Sequence, residues 1–103
     1  MAQSEQLHSI TSVTGASVSK LNFDGRECVG LQFTHRNAMF HVDAAKETIL
    51  AAGAIGSPQL LQLSGIGNGE QLGRHGIPMV HDLPGVGENL QDHLQIRMQY
   101  KVH

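Results

Sequence analysis

A short apolar segment followed by a bare turn constrains this fold more than any other feature of the sequence. Residues Thr48–Ala52 are apolar on both faces, and they lead directly into Gly53. Strands of that kind occur in the centre of parallel sheets that are covered on both sides. We therefore predict a parallel-type strand over 48–52, which indicates the α/β class.

A short helix is predicted after this strand. Ser57 suits an N-cap, and Pro58 suits the first helical position, where its missing N–H group costs nothing. Leucines give the following residues an apolar stripe, and Gly65 is a natural stop. The helix is expected over about 58–64, and one more helical turn over 70–74.

Three antiparallel strands are predicted ahead of the parallel-type strand. Apolar and polar side chains alternate over 18–23, over 29–33 and again over 40–42. A turn at 24–25 joins the first two segments, and residues 35–37 interrupt the pattern before the third. The three segments form a meander.

The end of the chain carries the pattern of one further strand. Apolar residues alternate with polar ones from Ile96 to Val102, after a long loop rich in proline and glycine. Neither this strand nor the one over 48–52 has a visible neighbour, so we expect these residues to be part of a larger protein. In isolation such a piece falls in the α+β class.

Composition excludes several classes of function. Of the 103 residues, 40% are hydrophobic and 16% charged, which predicts a packed core. The formal net charge is −2 and no cluster of Lys and Arg exceeds two residues, so no nucleic-acid partner bound through phosphates is expected. No apolar run approaches the ~20 residues of a transmembrane helix, and the polar N-terminus lacks the pattern of a signal peptide.

Cysteine and histidine usage indicates the compartment and the metal chemistry. Cys28 is the only cysteine, which excludes an internal disulfide and is compatible with a reducing cytoplasm, the location that we expect. The seven histidines include no pair at the i, i+4 spacing of a helical metal site. No metal site is predicted.

The turn between strand and helix is the candidate binding site. Gly53, Ala54 and Gly56 lack bulk, so backbone N–H groups can approach a ligand there, and a helix N-terminus offers its positive end to an anion. A dinucleotide pyrophosphate fits such a site. The alternative is that the small residues only let the helix and the strand pack closely, because the sequence has no G-x-G-x-x-G fingerprint.

Two segments, 49–67 and 76–94, closely resemble the glucose-methanol-choline (GMC) family of FAD-dependent oxidoreductases. Residues 13–21 are also similar to the strand that precedes the family's meander. The resemblance implies part of a Rossmann-like FAD-binding domain, taken from the middle of a chain several times longer.

The resemblance also implies a division of the chain. Residues 1–9 are expected to form a frayed N-terminal segment and 10–67 a part of the FAD-binding domain. Residues 68–103 are expected to hold the extended FAD-binding loop region and the start of the substrate domain.

Seven cofactor positions follow from the same resemblance. The backbone of Val18 is expected at the adenine, three small residues along the FAD, and three loop residues near it. The seven are Val18, Ala52, Gly53, Ala54, Asn89, Asp92 and His93. For Asp92 the alternative is a capping carboxylate, and for His93 a buried hydrogen-bonded imidazole.

One position bears on the substrate. Choline-oxidising members of the family tend to carry a glutamate shortly after the segment that matches Asp92 and His93, whereas this chain has Gln95. A neutral amide attracts a cation less than a carboxylate does, which favours an uncharged alcohol. The alternative is that Gln95 is only a residue on the face of a strand.

The resemblance implies oxidation of an alcohol to an aldehyde or ketone, with hydride transfer to flavin N5 and reoxidation by an electron acceptor. The glycine loop and the carboxy-terminal histidine that the family uses are absent, so the chain alone is expected to contribute FAD binding and to be inactive. The alternative is a catalytically silent module that binds a nucleotide or a protein. Unpaired strand edges are expected to cause non-native self-association.

Overall fold

The computed structural model of the chain describes residues 10–102. The described part contains five strands and two helices. They are β1 (Ala16–Asp24), β2 (Glu27–His35), β3 (Ala38–Asp43), α1 (Gly53–Leu63), β4 (Ile66–Gly67), α2 (Gly69–Arg74) and β5 (His81–Asp82). The predicted frayed segment 1–9 lies outside the described residues.

The meander is confirmed. Strands β1, β2 and β3 pair in that order, and both pairs are antiparallel. In the first turn only Gly25 has a positive φ, of 60°, whereas Arg36 and Asn37 both have positive φ in the second, of 50° and 62°. Two consecutive positive φ angles are typical of a type I′ hairpin turn, which explains why the pattern breaks at 35–37.

A β-bulge keeps the apolar side chains of β1 on one face. Val18 pairs with Phe33, and Leu21 pairs with Leu31. Val18 and Leu21 are an odd number of positions apart, so in a regular strand their side chains would point to opposite faces. The register shifts at Ser19, which has no partner and absorbs the extra residue. Leu21 therefore shares a face with Val18 and is buried.

Helix α1 begins earlier than predicted. It starts at Gly53, so the expected N-cap role of Ser57 and first-position role of Pro58 are wrong, and Pro58 lies inside the helix. The hydroxyl of Ser57 accepts from the N–H group of Ala52 at 2.9 Å, which supports the early start. The predicted end is confirmed, because Gly65 follows the helix with a φ of 93°.

Neither strand predicted without a neighbour is formed. Residues 48–52 and 96–102 have no strand structure, and Ile49 and Ile96 are 81% and 74% exposed. A strand forms only where another segment accepts its backbone hydrogen bonds, and no described segment pairs with either one. Both segments have the apolar pattern of a strand, but neither has a partner strand among the described residues.

The one parallel pair of the described residues lies elsewhere. Ile66–Gly67 (β4) pairs in parallel with His81–Asp82 (β5), and the sequence analysis predicted neither strand. Helix α2 lies between them and confirms the predicted helical turn. Its N-cap is Asn68, whose side-chain oxygen accepts from the N–H group of Gln71 at 3.1 Å.

A buried serine joins the meander to α1. Ser64 is 2% exposed, and its hydroxyl accepts from the N–H group of Leu21 at 2.8 Å while donating to the carbonyl of Leu60 at 2.6 Å. In the described residues the buried apolar side chains are those of Leu21, Leu60 and Leu72. Two of these three adjoin the hydroxyl, so the polar link lies in the core itself.

We expect Ser64→Ala to lower the free energy of unfolding by about 1–3 kcal/mol, because the buried N–H group of Leu21 loses its acceptor. Urea denaturation followed by circular dichroism measures this change. Ser19→Ala is the control, since the hydroxyl of Ser19 is exposed and lies 3.4 Å from the carbonyl of Gln32. Equal losses in the two variants would contradict this role of Ser64.

Candidate functional site

The amino-terminal end of α1 is open. Its N-cap, Ala52, provides no side-chain acceptor, and the first turn contains no acidic residue. The first N–H groups of the helix therefore have no side-chain partner and carry the positive end of the helix dipole. An anion or a carbonyl oxygen of a ligand can accept from them.

The two glycines at this end have different roles. Gly53 has a φ of 86°, and a Cβ atom added to it would meet nothing within 4 Å, so its backbone faces open space. A Cβ atom on Gly56 would lie 3.2 Å from the Cβ atom of Ala52. Gly56 thus fits the close-packing alternative, whereas Gly53 leaves room for a ligand.

A groove of about 360 Å³ lies between β1 and α1, and we refer to it as the strand groove. Two predicted cofactor positions, Val18 and Ala52, line it together although they are far apart in the sequence. Its lining residues are Ala16, Ser17, Val18, Ala52, Gly56, Gln59, Leu60 and Leu63.

A larger groove of about 670 Å³ lies on another side of α1, between the helix and the loop before residue 92, and we refer to it as the loop groove. It brings Ala54 and Asn89 together. Its lining residues are Ala54, Ile55, Pro58, Gln59, Gln62, Gln71, Gly87, Glu88, Asn89, Leu90 and Gln91. Five of these carry side-chain amides, which both donate and accept hydrogen bonds.

The remaining predicted positions lie apart from both grooves. Asp92, His93 and Gln95 are exposed and line neither groove. One carboxylate oxygen of Asp92 accepts from the N–H group of His93, the next residue, at 2.7 Å. Their assignment to the cofactor or the substrate stays a prediction.

Sequence analysis missed the glutamines that border the grooves. Gln59 lines both grooves, and Gln62 and Gln71 line the loop groove. The available signal was the spacing of Gln59 and Gln62, because residues three apart on a helix lie on the same side. Their polarity beside a leucine stripe made them resemble ordinary surface residues.

Among residues 10–102, the cysteine and the potential metal ligands form no second site. Cys28 is partly buried, and its thiol lies 3.6 Å from the carbonyl of Gly30. Between residues 10 and 102, no three side chains of His, Cys, Asp or Glu come close enough together to hold a metal ion. None of the helices in this range has the length and apolar character to cross a membrane.

Comparison with known families gives one match to most of the chain. Residues 3–95 match the family model described as GMC oxidoreductase. The oxygen-dependent choline dehydrogenase 1 of Chromohalobacter salexigens is 46% identical over 97 residues, which cover 94% of this chain and 17% of that protein. The oxygen-dependent choline dehydrogenase of Escherichia coli O127:H6 is 46% identical over 101 residues, covering 96% of this chain and 18% of that protein.

Solved structures agree with this match. An FAD-dependent oxidoreductase from Chaetomium thermophilum superposes with a TM-score of 0.68 at 42% identity, over 71% of this chain and 13% of that one. A formate oxidase superposes with a TM-score of 0.61 at 32% identity, over 63% of this chain and 12% of that one. The chain spans less than a fifth of the length of the relatives it matches.

We expect alanine substitutions at two glycines to have effects of opposite sign. Gly53→Ala should lower the free energy of unfolding by about 1 kcal/mol, because a φ of 86° is strained for an L-residue. Gly73→Ala should raise it by about 0.5–1 kcal/mol, since Gly73 lies in α2 with open space around it. Urea denaturation of both variants measures the signs, and a neutral Gly53→Ala would contradict the assigned conformation.

Proposed function

Because this chain belongs to the GMC oxidoreductase family, we propose that it forms part of the FAD-binding domain of an enzyme that oxidises the CH–OH group of an alcohol to an aldehyde or ketone. The match of residues 3–95 to the family model carries this proposal. The open amino-terminal end of α1, with a groove on either side of the helix, gives this proposal a physical basis.

FAD is the cofactor, and the residues present fit it. The free N–H groups at the start of α1 suit a phosphate or carbonyl oxygen, and the space before Gly53 leaves its backbone accessible. The amides of the loop groove suit hydroxyl groups, which also donate and accept. The apolar walls of the strand groove suit an aromatic ring.

The residues of this chain bind and orient the cofactor. The N–H groups at Gly53 and Ala54 would hold an acceptor atom of FAD, the backbone of Val18 would contact the adenine, and Asn89 forms part of the far wall of the loop groove. FAD supplies the chemistry of the reaction, because it accepts the hydride that leaves the alcohol carbon. The base that removes the hydroxyl proton belongs to a part of the enzyme outside these residues.

We propose a small alcohol as substrate, and an uncharged alcohol and choline are the two candidates. The two choline dehydrogenases that are 46% identical to this chain support choline. The neutral Gln95 favours an uncharged alcohol, because no carboxylate attracts a cation at that position. An electron acceptor reoxidises the flavin, and the enzyme acts in the cytoplasm.

A chimera tests this function. Residues 10–102 replace the matching segment of the choline dehydrogenase of Escherichia coli O127:H6, which supplies all other parts of the enzyme. We expect the chimera to bind FAD, seen as quenched flavin fluorescence, and to oxidise an alcohol, while the chain alone has no activity. The host enzyme and the chain alone are the two controls.

A folded chimera that does not bind FAD would contradict the proposed function. It would favour the other candidate, a silent module that binds a nucleotide or protein. Circular dichroism of the chimera and its elution volume establish that it is folded and not aggregated, so that loss of binding is not loss of structure.

Exchange of one amide for a carboxylate tests the substrate preference. In the chimera, Gln95→Glu should raise kcat/KM for choline by roughly fivefold, which corresponds to about 1 kcal/mol of electrostatic attraction. The value for 3,3-dimethylbutanol, a neutral compound of the same shape, should stay unchanged. Gln99→Glu is the matched control, and equal effects of both variants on choline would contradict a role for Gln95 at the substrate.

A further inference from the structure

The loop that forms the far wall of the loop groove is closed on itself. The N–H group of Val86 donates to the carbonyl of Leu83 at 3.1 Å, and that of Glu88 donates to the carbonyl of Gly85 at 3.2 Å. At its start, the N–H group of Leu83 donates to the carbonyl of Gly67 at 2.8 Å. One end of the loop is thus fixed to β4.

A side chain of α1 fixes the other end. The amide nitrogen of Gln62 donates to the carbonyl of Val86 at 3.2 Å in a partly buried hydrogen bond. The next residue, Gly87, has a φ of 82°, and a Cβ atom on it would lie 3.0 Å from that same nitrogen. Both the left-handed backbone and the missing side chain of Gly87 therefore allow Gln62 to approach.

This bond sets the position of Asn89. Asn89 lies two residues beyond Gly87 with a φ of 56°, and it faces Ala54 across the loop groove. Because the turn at 83–88 is internally bonded, a shift at Val86 carries Asn89 with it. The width of the groove at the start of α1 thus depends on where Gln62 holds the loop.

We propose that Gln62 is a positioning residue of the cofactor site: by holding the carbonyl of Val86 it fixes Asn89 at the distance from α1 that FAD requires. This inference rests on the proposed function, because it assumes that FAD lies in the loop groove. Gln62 acts through the loop and need not touch the reacting atoms.

Gln59 provides a matched control. It lies three residues earlier on the same helix and lines the loop groove as well, yet it is exposed. Among residues 10–102 its side chain makes no hydrogen bond, whereas that of Gln62 does. Replacement of either glutamine by methionine keeps the length of the side chain and removes the amide.

Hydrogen exchange of the chain itself tests the mechanical part of the proposal without flavin. Gln62→Met should raise the exchange rates of the Val86 and Glu88 amides by roughly fivefold, the equivalent of one lost hydrogen bond. The amide of Leu72, which donates to Asn68 in α2, should keep its rate. Unchanged loop rates, or equal changes in Gln59→Met, would overturn the proposal.

FAD affinity tests the functional part, measured by flavin fluorescence in the chimera. Gln62→Met should weaken binding by about tenfold while circular dichroism shows that the chimera stays folded, and Gln99→Met, at an exposed amide that lines neither groove, should not weaken it. Gln62→Glu should bind weakly at pH 8, where the carboxylate repels the Val86 carbonyl. It should recover only as the pH approaches about 4, because a glutamate, with an ordinary pKa of about 4.3, then becomes protonated and again donates to that carbonyl.

The outcomes separate the two proposals. If the unsubstituted, folded chimera fails to bind FAD, the proposed function falls, and hydrogen exchange still decides the role of Gln62 in the loop. If the chimera binds FAD and Gln62→Met binds equally well, the positioning role falls alone. A Gln62→Glu variant whose affinity follows the unsubstituted chimera across pH would also overturn it.

Discussion

The hydroxyl of Ser64 is the link on which the arrangement of the two grooves depends. It accepts from the backbone of Leu21 on the edge strand β1 and donates to the carbonyl of Leu60 at the end of α1. A buried hydroxyl that both donates and accepts a hydrogen bond has one low-energy orientation, because loss of either bond leaves a buried polar group unpaired. The carboxy-terminal end of α1 is thereby fixed against the meander.

The two ends of α1 differ in burial for this reason. Beyond the serine, the carbonyl of Gly65 accepts from the N–H groups of Val80 and His81 at 2.7 and 3.1 Å, so the chain is held closely after the helix. At the other end, Gly53 and Ala54 are exposed, and the first N–H groups of the helix have no side-chain cap. The carboxy-terminal end of α1 is packed against the rest of the structure, and the amino-terminal end is available to a ligand.

The features predicted correctly from the sequence are those that neighbouring residues determine. The meander, the stop at Gly65 and the helical turn of α2 follow from alternation, turn residues and caps within a few positions. The strands over 48–52 and 96–102 could not be predicted correctly from the same signals, because a strand also needs a partner. The start of α1 was misplaced because Ser57 and Pro58, which suit the start of a helix, lie in the second turn of one that begins at Gly53.

The contacts that shape the candidate site join residues that are far apart in the sequence. The serine bond joins residues 43 positions apart, and the bond from Gln62 to Val86 joins residues 24 apart. No periodicity encodes such pairs, so the sequence supplied Val18, Ala52, Ala54 and Asn89 as separate candidates. The fold sorts them into one groove on each side of α1.

Several apolar side chains of the described residues are exposed to solvent. The alternating side chains of residues 96–102 are between 72% and 90% exposed, and Val18 and Val42 of the meander are 41% and 49% exposed. Large apolar patches on a protein surface normally mark a contact with other structure. The strand groove opens between this apolar side of the meander and α1, so a structure covering the meander would also close the groove and exclude water from a nucleotide within it. One packing event would therefore cover the apolar side of the meander and close the strand groove.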